Sequence, residues 1–203
     1  MLRTTGIAAA LSCCLLLLTG SNSDAGILNG HVDALPGWSG TVAFDNGMGL
    51  KGDLDYAVFL AADFNANFSG LGYVPGDAVV YTYQIFNAAA PTDTISAEIV
   101  GIANTANTIG TFDIGDVDAS SAAFVLGDAQ WLFEPEIGAG ESSWGLAFSS
   151  PNLPMNGLAT TVDGGGQVLL VVPTPSDVPV PEPTSIVLLA LGGAMLLVRR
   201  RTN

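Results

Sequence analysis

Eight residues, Val79-Val-Tyr-Thr-Tyr-Gln-Ile-Phe86, set the tightest limit on the fold. Tyr81, Tyr83 and Ile85 point one way; Val80, Thr82, Gln84 and Phe86 point the other. A two-residue period puts an apolar face on a strand and scatters it around a helix. Pro75-Gly76-Asp77 supplies a turn before the run, and Asn87 opens the loop after it. Similar short runs lie at 41–44, 56–62, 94–102, 110–114, 122–126, 129–133, 143–149, 159–162 and 167–172. Turn clusters separate them: Asp45-Asn-Gly, Gly138-Ala-Gly, Ser150-Pro-Asn and Asp163-Gly-Gly-Gly. Short strands at this spacing predict an all-β chain, a single β-sandwich of Ig-like or jelly-roll-like type. Trp144, Leu146 and Phe148 are expected on one face of a strand that Pro151 ends. The alanines of residues 56–67 leave a helix open there, but Val58, Phe59 and Phe64 serve a strand equally well. No solenoid or propeller repeat is visible.

This strand-rich region, residues 26–172, is one domain of ordinary size with room for a core. Both ends of the chain differ from it. Arg3 precedes an apolar run, Ile7–Leu18, broken only by Ser12. About 12 residues suit a secretory signal and are short for a membrane span. Ser23 and Ala25 stand at −3 and −1 of a cut before Gly26. Residues 1–25 are therefore read as a signal peptide, cleaved between Ala25 and Gly26. Cys13 and Cys14 are the only cysteines and fall inside that run, so the exported domain has neither disulfide nor thiolate chemistry.

At the other end, residues 173–183 read as a stiff, proline-rich stalk. An apolar run from Thr184 to Val198 follows. As a helix it would be roughly 22 Å long, against a hydrocarbon core of roughly 30 Å. Arg199, Arg200 and Arg201 then act as a cytoplasmic stop, leaving the domain outside.

The order Pro181-Glu182-Pro183, short apolar run with Gly192-Gly193, and terminal Arg199-Arg200-Arg201 resembles the PEP-CTERM protein-sorting signal. The resemblance covers about the last 23 residues and implies export in a Gram-negative-type bacterium. It also implies transient anchoring by the C-terminal helix and processing by exosortase, an integral-membrane enzyme resembling a transpeptidase. Such tails accompany exopolysaccharide and biofilm production. The resemblance says nothing about what residues 26–172 do.

Charge excludes some partners for that domain. Seventeen of the nineteen acidic residues lie between Gly26 and Val180, against one lysine, Lys51. Such a surface repels nucleic acid and anionic lipid. Site chemistry is sparse. His31 is the only histidine, expected as an exposed residue near the mature N-terminus, and no Gly-x-Ser-x-Gly elbow occurs. Glu134 and Glu136, beside Trp131 and Phe133, are the best carboxylate pair for glycoside cleavage but read better as a charged strand end. Calcium is the one cofactor with candidate ligands, at Asp113, Asp116 and Asp118 or at Asp45, Asp53 and Asp55, although the EF-hand pattern is not met. Trp38, Trp131, Trp144, Tyr56, Tyr73, Tyr81 and Tyr83 are candidates for stacking on sugar rings, or for the core. Asn67-Phe-Ser69 matches a glycosylation sequon, which carries little in a bacterial-type context.

The expectation is a non-enzymatic, structural or adhesive component of an extracellular polysaccharide matrix at the cell surface. Its partners would be an exosortase-type enzyme and polysaccharide, with no bound cofactor and no nucleic acid. A carbohydrate-binding module is the alternative, and a secreted hydrolase stands behind it.

Overall fold

The computed structural model describes residues 26–91 and 93–181. Ten strands and one helix follow in order: β1 (Ser39–Asp45), β2 (Lys51–Leu60), α1 (Ala61–Phe68), β3 (Val79–Asn87), β4 (Ile95–Gly101), β5 (Asn107–Phe112), β6 (Ser121–Val125), β7 (Asp128–Ile137), β8 (Gly145–Ser150), β9 (Asn152–Val162) and β10 (Gln167–Pro179). They form two five-stranded sheets, β1-β2-β3-β8-β5 and β10-β9-β4-β7-β6. Every strand pairing is antiparallel. The two sheets pack face to face as a β-sandwich, as the alternating runs predict.

The inner faces hold the main core. Leu54 and Val58 of β2, Tyr81, Tyr83 and Ile85 of β3, Leu146 and Phe148 of β8, and Trp131 and Phe133 of β7 meet there. Burial of a Leu, Ile or Phe side chain such as Leu54, Ile85 or Phe148 contributes about 1.5–3 kcal/mol. The polar tips of the large rings find acceptors. Tyr81 donates to the Asn152 carbonyl at 3.0 Å, Tyr83 donates to the Pro173 carbonyl, and the Trp131 indole donates to the Gly110 carbonyl at 3.0 Å.

The first sheet is buried on its outer face as well. Ala57, Phe59, Val80 and Ala147 point outward and are covered by Leu28, Phe64, Phe68, Tyr73 and Phe112. Phe64 and Phe68 lie four apart and share one face of α1. Asp63 sits in the first turn, where the helix dipole favours a carboxylate. Ser69 is the C-cap, and Gly70 follows at φ 87°, a left-handed conformation that glycine adopts freely. The segment 26–38 crosses the same face. It is tied to β2 by Leu35 N donating to Val58 O at 2.7 Å and Val58 N donating to Trp38 O at 2.9 Å.

Three expectations need correction. The run at 56–62 is not one strand: β2 starts earlier, at Lys51, and ends at Leu60, after which the chain turns helical. The alanines favour the helix, and the Phe64–Phe68 pair finds an apolar sheet face to cover. The strand expected at 143–149 begins at Gly145, so Leu146 and Phe148 enter the core while Trp144 stays half-buried before it. The proline stalk is the largest difference. Residues 173–179 continue β10, with Pro173, Thr174 and Pro175 paired to Asn156, Met155 and Pro154 of β9. β10 is an edge strand, paired on one side only, and that is where a sheet tolerates residues without an N–H.

Candidate functional site

The acidic residues read as candidate ligands do not gather. Among the described residues no three His, Cys, Asp or Glu side chains are placed to hold one metal ion. Asp116 instead accepts the Ser142 backbone N–H at 2.8 Å and the Ser142 hydroxyl at 2.9 Å, while Asp113 and Asp118 are exposed. Asp45 accepts the Gly47 N–H at 2.8 Å and pairs with Lys51 at 3.5 Å. The Gly47 N–H, foremost, and Lys51 hold its carboxyl below the usual range.

Among the described residues, two of the surface depressions are formed as follows. One, of about 320 Å³, is lined by Asp93, Thr94, Glu136, Asp163, Gly164 and Gly165. Its carboxylates are occupied locally. Glu136 accepts the Thr94 hydroxyl, and Asp163 accepts the N–H groups of Gly165 and Gly166, which folds the glycine turn. Glu134 is not part of the lining. The other, of about 470 Å³, is formed by Asp45, Gly47, Met48, Gly49, Lys51, Ala90 and Pro91. No aromatic ring lines either depression.

The rings themselves belong to the interior. Trp131, Tyr73, Tyr81 and Tyr83 are buried, and Trp38, Trp144 and Tyr56 are half-buried. None of the seven is fully exposed. His31 also departs from expectation. It is half-buried and packs edge-on to Phe59 at 5.1 Å and tilted to Phe68 at 5.5 Å, as a lid on the outer cluster.

Two carboxyls lie inside the fold: Glu98, which sequence reasoning passed over, and Asp55, which it read as a calcium candidate. Glu98 is fully buried on the inner face of β4, opposite Trp131 and Thr161. The Thr161 hydroxyl donates to its Oε2 at 2.6 Å, and its Oε1 has no partner. Burial pushes its pKa up to about 8, against the Thr161 hydrogen bond. The signal for it was present: Glu98 shares its strand face with Val100, a position where the alternation demands an apolar residue. The second is Asp55, 1% exposed on the outer face of β2. Burial, first, and neighbouring Asp53 raise its pKa; hydrogen bonds from Thr41 and Gly26 act the other way. Neither carboxyl opens on either depression.

The outer face of the second sheet has the opposite character. The row Leu169, Thr160, Ile99, Gln130, Ala123 crosses all five strands without a charge. Val171 and Leu158 stand side by side next to it, and Leu132 lies beyond. Leu132, Leu158, Leu169 and Val171 are all exposed, Leu169 by 63%.

Residues 179–201 match the family model of the PEP-CTERM protein-sorting motif. The chain is therefore an exported protein that exosortase sorts at the membrane, where its C-terminal tail anchors it transiently. The match begins at Pro179, the last residue of β10, and Val180 N still donates to the Pro151 carbonyl at 2.9 Å. Neither a curated protein nor a solved structure matches the chain. Of the sorting residues, only Pro181 is among those described. Glu182, Pro183, the apolar run 184–198 and Arg199–Arg201 lie outside the described residues, as do residues 1–25, expected to be a signal peptide ending at Ala25.

Proposed function

We propose that the exported domain is a non-enzymatic structural or adhesive component of an extracellular polysaccharide matrix. The uncharged row across the outer face of the second sheet, with exposed Leu132, Leu158 and Val171 beside it, carries this reading. In a strongly acidic molecule, a sheet face whose middle row is free of charge, with Asp128 and Glu134 toward the ends of β7, has kept a surface for contact. The carboxylates best placed for hydrolysis, Glu134 and Glu136, are exposed and do not converge on a cleft, which weighs against a secreted hydrolase. The burial of Trp131 and the partial burial of Trp38 and Trp144 weigh against a stacking carbohydrate-binding platform.

The test is retention. Leu158→Lys with Val171→Glu places a complementary cross-strand charge pair on the face at exposed positions, where substitutions change stability by about 0.5 kcal/mol or less. The variant is expected to be processed normally and then lost from the polysaccharide fraction into the medium. Retention equal to that of the unaltered protein would reject the face as the contact. Release of sugar ends by the purified domain would replace the reading with the hydrolase.

A further inference from the structure

Thr41, Asp55 and Gln84 stand directly across from one another on β1, β2 and β3, on the outer face of the first sheet. Above them lies Gly26. Asp55 Oδ1 accepts the Thr41 hydroxyl, and Oδ2 accepts the Gly26 backbone N–H at 2.7 Å. Gln84 donates from Nε2 to the carbonyls of Ile114 at 3.0 Å and Ser143 at 3.1 Å. Carbonyl oxygens only accept, so these two bonds fix which end of the amide is nitrogen. Oε1 is then turned to the other side, buried and without any donor. It lies 2.8 Å from where a Cβ on Gly26 would stand, beside Asp55 Oδ2 at 2.9 Å and the Phe86 ring at 2.5 Å. A buried carboxyl and an orphaned amide oxygen thus converge on one residue, whose peptide nitrogen has a single hydrogen to give. A side chain at position 26 has no room there.

We propose that this is the seat of the free α-ammonium that signal cleavage creates at Gly26. The proposal rests on the reading that the cut falls between Ala25 and Gly26. Hydrolysis of that peptide bond consumes one water: the hydroxyl goes to Ala25, which leaves as a carboxylate, and the amine stays on Gly26 and is protonated at neutral pH. An ammonium has three N–H donors where the amide has one. One keeps Asp55 Oδ2, and a second is available to Gln84 Oε1. The new positive charge also gives buried Asp55 a counter-ion. Lys51, the only lysine, is engaged with Asp45, and the other charge acting on Asp55 is the like charge of Asp53. Processing then completes the outer layer. Gly26 begins the segment that carries Leu28 and His31 onto Phe59 and Phe68, so fixing its first atom fixes the cover.

The test uses the processed protein recovered from cells. Its N-terminal peptide mass is read first, and a chain beginning at Gly26 is expected. That chain has two amines, the Gly26 α-amine and Lys51, whose side chain is 62% exposed and serves as the internal reference. Acylation by an amine-reactive ester is followed against pH. The α-amine is expected to react about tenfold more slowly than in the unfolded chain, equivalent to a pKa raised by about one unit. Asp55→Asn is expected to abolish that protection while Gln84, Thr41 and Phe86 remain. Because this variant could fail to fold, a chain that begins Ala25-Gly26 provides an independent readout. It is expected to melt about 3 °C or more below the chain that begins at Gly26. A native chain that begins elsewhere overturns the cleavage reading and the seat with it. A chain that begins at Gly26 but shows ordinary α-amine reactivity, and melts together with the extended form, overturns the seat alone.

Discussion

Glu98 sits in β4 with Trp131 on one side and Thr161 on the other, out of reach of water. Burial lifts its pKa from 4.5 to about 8, so the folded protein prefers the neutral acid and the unfolded chain does not. The sign of the linkage follows. Below about pH 4.5 both states are protonated and Glu98 costs nothing. As pH rises toward about 8 the unfolded chain ionises first, and stability is lost at up to about 1.4 kcal/mol per pH unit. Above that range the loss is complete. Glu98→Gln keeps the shape and removes the titration. Urea midpoints measured from pH 4.5 to 8.5 are expected to show the variant gaining on the unaltered protein as pH rises, with no such gain at the acid end. A constant difference across the range would show that Glu98 does not titrate in this window. The orphaned Oε1 belongs to the same picture, since a half-satisfied buried acid tolerates neutrality better than charge.

At the scale of the element, most strands were legible because one face of each is apolar and turn residues close both ends. Val79–Phe86 lies within β3, and the alternation of its side chains divides the inner core from the outer cluster as the sequence implies. Legibility failed where an element depends on a distant partner. α1 is short, and what holds it is Phe64 and Phe68 against Phe59 and Phe112, with ring centroids 5.2–6.2 Å apart. Phe64→Ala is expected to cost about 3–5 kcal/mol and lower the melting temperature accordingly; a loss below 1 kcal/mol would mean the helix is not a structural cover. β10 failed to be read for a different reason. Three prolines in seven residues look like a stalk until an edge position with Tyr83 beneath it is known. A chain ending at Val172 removes the Pro173 carbonyl and leaves the Tyr83 hydroxyl buried without its acceptor. That chain is expected to unfold earlier and be cut faster by protease than one ending at Pro181. Equal resistance would return 173–179 to the status of a linker. The proposed Gly26 seat was half legible: small residues at 23 and 25 are read as marking a cut, but nothing near it in sequence announces Asp55, 29 residues away.

For the whole molecule, the extension of β10 changes how the domain meets the membrane. The sorting motif begins where the last strand ends, and Val180 is still bonded to Pro151, so the folded domain stands close to the sorting residues. An acidic domain so near an anionic bilayer is repelled by it, which favours departure once the tail is processed. We propose that this processing turns on Pro181, Glu182 and Pro183. They follow the final strand, so changing them leaves the sandwich intact. Replacing all three by alanine is expected to leave a full-length chain, ending at Asn203, confined to membranes. The unaltered protein recovered from the surface or medium is expected to end near Glu182 or to carry a modified terminus there. Intact mass and the C-terminal peptide of both fractions give the answer directly. A full-length chain in the medium, or alanine variants processed at the normal rate, would mean that release does not depend on this motif. Domain and tail would then have to be explained as a membrane resident whose sheet face works at the envelope itself.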